Sequence, residues 1–171
     1  MQLDIDIEGW PGPDTKAREW EELAERAAQA CGAIVPELAN PRLYTSLLFT
    51  SDEDVRTLNR EWRQRDKPTN VLSFPMLERE ELLSLAPDGP PEMPPLLLGD
   101  LALAYETCAR EAEEKGVPLE HHATHLIVHG LLHLAGFDHE TGDEDADKME
   151  ALEIAILAKV GIADPYGDRE T

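Results

Sequence analysis

Residues 129–139 read HGLLHLAGFDH and carry three of the chain's six histidines, His129, His133 and His139. Successive helical residues are rotated by about 100°, so His129 and His133 share one face, one turn apart. Two imidazoles at that spacing can reach the same metal ion. Gly136 tolerates a positive φ, which lets the chain double back and bring His139 against the first pair. Three protein ligands leave the fourth corner of a tetrahedral zinc shell to water, which is the catalytic pattern, whereas structural sites are closed by four. Three neutral nitrogens also leave the ion its full charge, enough to acidify a bound water to a pKa of about 7 and to polarise a phosphoryl or carbonyl oxygen. A lone histidine on an apolar helix is usually a satisfied core or surface residue. Three within this short run, with a glycine turn between the second and third, are hard to explain by packing. His125 continues the stripe one turn back and is expected behind the ligands or simply buried, with His121 and His122 exposed. Asp138 fits two roles, orienting a ligand histidine or capping a turn.

The spacing H-x-x-x-H-x-x-G-x-x-H also occurs in metzincin-type peptidases, which need a glutamate directly after the first histidine as general base. Here that position is Gly130. Phosphodiester cleavage asks less of that position, because its charge builds on phosphoryl oxygens that a metal and a guanidinium can stabilise. Guanidinium groups are concentrated in RTLNREWRQRDK, where Arg56, Arg60, Arg63, Arg65 and Lys67 face only Glu61 and Asp66, inside a chain of net charge −21. The acidic total argues against coating nucleic acid through bulk charge. The basic run by itself reads either as a solvated helix face or as a local anion contact.

These residues must be held by elements that the pattern outlines. Residues 2–8 alternate and read as a strand, and a helix follows from Asp14, stopped by Gly32. Residues from Arg42 form a second strand; Ser51 and Asp54 approximate a capping box for a helix whose apolar face is Val55, Leu58 and Trp62. A short strand runs from Asn70 to near Pro75. The Pro- and Gly-rich stretch 77–95 reads as an exposed, mobile loop. A strand from Leu96, with Gly99 as a candidate bulge, precedes a helix stopped by Gly116. Pro118 opens the histidine helix, and Asp143 caps a last helix with an apolar face of Met149, Leu152, Ile156 and Val160. The expected fold is α+β: a mixed four-stranded sheet packed with about five helices in a single domain spanning 1–171, bearing a metalloprotease-like histidine-rich helix. Cys31 and Cys108 form no motif and read as buried free thiols. No signal peptide and no apolar run near the ~20 residues of a membrane span are present, so a soluble cytoplasmic protein is expected, with no membrane partner.

HGLLHLAGFDH resembles the HGxLHLxGYDH signature of the YbeY ribosomal-RNA-maturation endoribonucleases, with Phe137 where tyrosine is usual. NREWRQRDKPTNVLSFP, LLLGDLALA, DADKMEALEIAIL and the tail DPYG are similar to further segments of that family, covering most of the chain from about residue 50 onward. The first fifty residues match only in layout. The resemblance implies a zinc-dependent, single-strand-specific endoribonuclease acting in 16S ribosomal RNA 3′-end maturation and ribosome quality control. It implies one zinc ion per chain on His129, His133 and His139, and a functionally critical arginine at Arg63. Arg60, Arg65 and Lys67 would then attract the RNA backbone, and the partners would be single-stranded ribosomal RNA, the small ribosomal subunit and its associated proteins. Two other readings stay open: a metallopeptidase using a base elsewhere, and a non-catalytic ribosome-associated module in which zinc only holds the helix end.

Overall fold

Alternation of Leu3, Ile5 and Ile7 with polar residues produces strand β1 (Gln2–Ile7), whose apolar side chains all turn to one face. The chain, seen here as a computed structural model, is described at residues 1–8, 10, 14–64, 69–85, 94–137 and 143–166. β1 pairs in parallel with β2 (Leu43–Thr50), and β2 in parallel with β4 (Leu96–Ala104); β3 (Val71–Pro75) runs antiparallel along the far side of β4. A parallel pair needs a long crossover, and helix α1 (Asp14–Ile34) supplies the first one. The remaining helices are α2 (Asp52–Arg63), α3 (Arg79–Ser84), α4 (Tyr105–Lys115), α5 (Leu119–Leu134) and α6 (Asp143–Lys159). This is the expected mixed α+β sheet, with six α-helices among the described residues instead of five. No helix among the described residues is long and apolar enough to cross a membrane.

Several expectations need correction. Part of the stretch read as a loop is α3, whose start is closed by a capping box: the Glu78 N–H donates to Glu81 Oε1 at 3.2 Å, and Leu82 is buried. A glutamate cap is a weaker signal than Ser, Thr, Asp or Asn, and the prolines beyond it obscured the turn. Residues 86–93 of that stretch lie outside the described residues. Gly32 does not stop α1, which continues to Ile34. A Cβ at Gly32 would sit 3.2 Å from Ala39 Cα in the following 3-10 turn, so this glycine admits a close backbone contact instead. Trp62 is 72% exposed, not part of the buried face of α2. By contrast, Ser51 Oγ accepts the Asp54 N–H at 3.2 Å as the capping pattern requires, Gly116 ends α4 at φ 68°, and the register of β2 on β4 slips beside Gly99.

The two faces of the sheet are covered differently. Leu47, Phe49, Leu101 and Leu103 join α1, α5 and α6 in the main core, while Ala102, Ala104 and Leu72 point the other way, to Val55 and Leu58 of α2. The histidine helix and the arginine-bearing helix therefore pack on opposite faces, both against β3 and β4. α5 lies close on the sheet because two glycines interlock. A Cβ at Gly99 would fall 2.5 Å from Leu134 Cδ2 and 2.6 Å from the Phe74 carbonyl oxygen, and one at Gly130 would fall 2.7 Å from Leu101 Cδ2. Because the Phe74 oxygen belongs to backbone, Gly99→Ala should force β3 or α5 to shift and destabilise the fold by about 1–3 kcal/mol. Urea unfolding of that variant beside the parent checks this, and an unchanged midpoint would show that α5 has slack against the sheet.

Candidate metal centre

Most of α5 is buried, so a polar side chain on its inner face must find a partner inside the protein. His129 and His133 emerge on one face, one turn apart, with ring centroids 4.7 Å apart and nearly perpendicular rings. Both are only partly buried, which leaves this face open at one side. His129 Nδ1 lies 2.6 Å from Glu153 Oε1 of α6. Glu153 is 1% exposed. Burial alone would raise its pKa, but the nearby His125 ring, with Nε2 3.6 Å from Oε1, and hydrogen bonds from His129 and Tyr166 outweigh that and hold the carboxyl down to about 2. An ionised carboxylate only accepts, so His129 must donate from Nδ1, and its lone pair is left on Nε2. An imidazole whose Nδ1–H is held by a carboxylate carries its lone pair on Nε2, the donor that a zinc ion takes, with the carboxylate fixing tautomer and ring orientation. The donor chemistry of His129, beside His133, thus fits a divalent metal.

The turn that follows is shaped by its own clamp. Gly136, at φ 97°, reverses the chain beyond Ala135, and its N–H donates to the His133 carbonyl at 2.9 Å. A Cβ there would collide with Arg79, whose Cβ is 2.7 Å from that position. Arg79 instead lies across the helix end: Nη1 donates to the Ala135 carbonyl at 2.7 Å, Nη2 pairs with Glu37 at 2.8 Å, and Cζ sits 4.3 Å above the Phe137 ring. A cation on the terminal carbonyls is favoured by the helix dipole. Asp138 and His139, the residue expected as a third ligand, lie outside the described residues. Among the described residues no cluster of three metal-binding side chains is complete.

The other predicted residues sit elsewhere. Arg60 and Arg63 are exposed in the last turn of α2, on the opposite side of the sheet from the histidines; Arg65 and Lys67 lie outside the described residues. Beside α2, the uncovered part of the sheet forms a groove of about 370 Å³ with Trp62 on its rim and Asp4, Asp6 and Asp100 in its lining. Three carboxylates make that groove unfavourable for a phosphate. His125 is buried, one of the two outcomes expected for it, with Nε2 3.2 Å from the Tyr166 hydroxyl. His121 is exposed, but His122 is not: it is 3% exposed, with Nε2 2.9 Å from Glu111 Oε1, to which Asn70 Nδ2 also donates at 3.0 Å. Burial lowers the His122 pKa, so the ring is neutral near pH 7 and donates to Glu111. The expectation failed there because α4 covers that flank of α5. Cys31 and Cys108 are free and buried, and burial pushes the Cys31 thiol up to about 12 and the Cys108 thiol up as well, so neither is a nucleophile.

Sequence reasoning missed Glu153, Tyr166, Glu111 and Arg79. Glu153 had a signal: it interrupts the apolar stripe of α6 between Met149 and Ile156, where an unpaired carboxylate would be costly. Arg79 had none, since its partners are distant in the chain.

Comparison with known proteins places this architecture. A family model described as Endoribonuclease YbeY matches residues 12–161. A protein of Erythrobacter litoralis named Endoribonuclease YbeY is 67% identical over 169 residues, covering 99% of each chain. One of the same name from Novosphingobium aromaticivorans is 54% identical over 164 residues, covering 96% of this chain and 95% of that one. A solution structure of a Thermotoga maritima protein shares the fold at a TM-score of 0.58 and 21% identity, over 99% of this chain and 92% of that one.

The clamp at the end of α5 has a measurable consequence. Arg79→Ala strips a charged hydrogen bond from the Ala135 carbonyl and leaves Glu37 without its partner, a loss of about 1.5–3 kcal/mol. Amide hydrogen exchange at Gly136 and Phe137 should accelerate, and Arg79→Lys should restore little, because a point charge cannot span both acceptors. Unaltered exchange in the alanine variant would show that the turn stands without the clamp.

Proposed function

The chain belongs to the YbeY endoribonuclease family, and on that premise we propose that it is a zinc-dependent endoribonuclease directed at single-stranded RNA, acting in 16S ribosomal RNA 3′-end maturation and ribosome quality control. The observation that carries the reading is His129, held through Nδ1 by a buried carboxylate at 2.6 Å, beside His133. His129 and His133, with His139, would hold one zinc per chain. When bound, such an ion supplies Lewis acidity towards phosphoryl oxygens and acidifies water for attack on phosphorus.

The chain's own residues do the rest. Glu153 keeps His129 in the tautomer that presents Nε2. Arg63 presents an exposed guanidinium on the other face of the sheet, where it would pair bidentately with a phosphate of the same RNA strand and hold that strand for cleavage at the histidines. Arg60, Arg65 and Lys67 attract the backbone on either side. Asp138 would orient a ligand histidine or cap its turn. The histidine and arginine helices flank β3 on opposite faces, so a strand engaging both must bend around a sheet edge. Single-stranded RNA does this readily and a stiff duplex does not. The net charge of −21 repels RNA at long range, which favours delivery by a protein of the small ribosomal subunit, in the cytoplasm. A peptidase would need a base elsewhere than residue 130, where a Cβ would fall 2.7 Å from Leu101 Cδ2 and a carboxylate has no room.

Metal analysis of the purified protein should return one zinc per chain, lost in His133→Ala. The metal-loaded protein should cut unstructured RNA and leave unfolded polypeptide intact; the reverse outcome would establish a peptidase. Arg63→Ala should retain full zinc yet lose cleavage about a hundredfold or more. Undiminished cleavage would remove Arg63 from the site, and undiminished RNA processing by folded His133→Ala would favour a non-catalytic module.

A further inference from the structure

The DPYG tail has no part in the chemistry above, yet its tyrosine ends inside the histidine network. Beyond α6, Gly161 (φ 77°) turns the chain, Ile162 packs against the main core, and Asp164 Oδ1 accepts the Tyr166 N–H at 2.7 Å. That turn delivers the Tyr166 hydroxyl between α5 and α6. It lies 2.6 Å from Glu153 Oε2 and 3.2 Å from His125 Nε2. The proton directions follow from the acceptor. The Glu153 carboxylate cannot donate, so the Tyr166 hydroxyl donates to Oε2, and its own oxygen accepts the His125 Nε2–H. Among the described residues His125 Nδ1 is buried without a partner, so this ring is anchored to the network through Nε2 alone. Both oxygens of Glu153 are then committed, Oε1 to His129 and Oε2 to Tyr166.

We infer that Tyr166 is a positioning residue for the metal centre: by fixing Oε2 of Glu153 it holds Oε1 on His129 Nδ1 and so aims the His129 ring. The carboxylate is 1% exposed, so if the hydroxyl is removed, water cannot easily replace it. Oε2 then loses its donor and His125 Nε2 loses its acceptor; that nitrogen, 3.6 Å from Oε1, competes with His129 for the carboxylate, and the His129 contact loosens. Between the tail and α5 lies a cavity of about 320 Å³, bordered by His121, His125 and Asp164. The tail thus spans a gap, and Tyr166 is a tether across it. The inference rests on the metal reading of His129 and deepens it.

The test uses the full-length chain and Tyr166→Phe, which removes one oxygen and keeps the ring. In metal-free protein, nitrogen-15 and proton spectra of the histidine side chains should show His129 as the Nδ1–H tautomer with a strongly downfield proton. In Tyr166→Phe that proton should move upfield or broaden by exchange. In chelator competition with zinc or cobalt, Tyr166→Phe should bind about tenfold more weakly, at the low end of the range for groups that orient a ligand. Glu153→Gln should lose at least as much, and adding Tyr166→Phe to it should cost little more, because both act through the same carboxylate. An unshifted His129 signal with unchanged affinity overturns the inference, as does full additivity of the two substitutions. If the parent protein takes up neither metal, the metal reading fails, and the metal-free spectra still decide whether Tyr166 governs His129.

Discussion

The site depends on one buried negative charge. Glu153 is enclosed by α5, α6 and the tail, and a carboxylate in such a place is tolerated only when its oxygens are satisfied. His129 and Tyr166 each satisfy one, at 2.6 Å. The carboxylate in turn dictates which imidazole nitrogen carries the proton and which carries the lone pair. The direction of every hydrogen bond in this cluster follows from there being an acceptor at its centre that cannot donate.

That charge can be placed only because α5 is held rigidly. Gly130 and Gly99 let the helix approach the sheet more closely than any side chain would allow, with Leu101 and Leu134 filling the opposing hollows. At the far end, Arg79 neutralises the last carbonyls and covers Phe137. The helix is thus fixed along its length by packing and at its terminus by charge. The absence of a side chain at Gly130 is accordingly a feature of the scaffold as well as of the chemistry.

The sheet separates two sets of candidate residues. Histidines of α5 lie on one face, partly buried beside the main core; exposed guanidinium groups lie on the other, at the end of α2, where they also complement the helix dipole. The acidic lining of the groove beside α2 disfavours phosphate there, so an anion on this face would meet its favourable partners at the arginine-bearing end. A chain of strongly negative net charge can present a local anion site in this way, because screening limits the reach of each charge to about 8–10 Å.

Periodicity in the sequence was sufficient for the strands, for most helix ends and for the pairing of His129 with His133, because those depend on neighbours a few residues away. The αL glycines at 116 and 136 and the Ser51 cap are likewise local, and each stands where its residue type requires. Helix α3 was hidden by the prolines beyond it, and Gly32 was misread because its reason is contact with Ala39 and not its own φ. His122 looked like a surface residue because nothing nearby in the chain announces that α4 will cover it. Glu153, Tyr166 and Arg79 act across separations of 24, 13 and 56 residues, on atoms that meet only after the helices have packed. The sequence by itself determined which residues could bind a metal and a phosphate, since residue type and helical spacing are local properties. Only the tertiary structure decided which nitrogen of His129 is presented and what holds it there, since a hydrogen-bond partner is chosen by proximity in space.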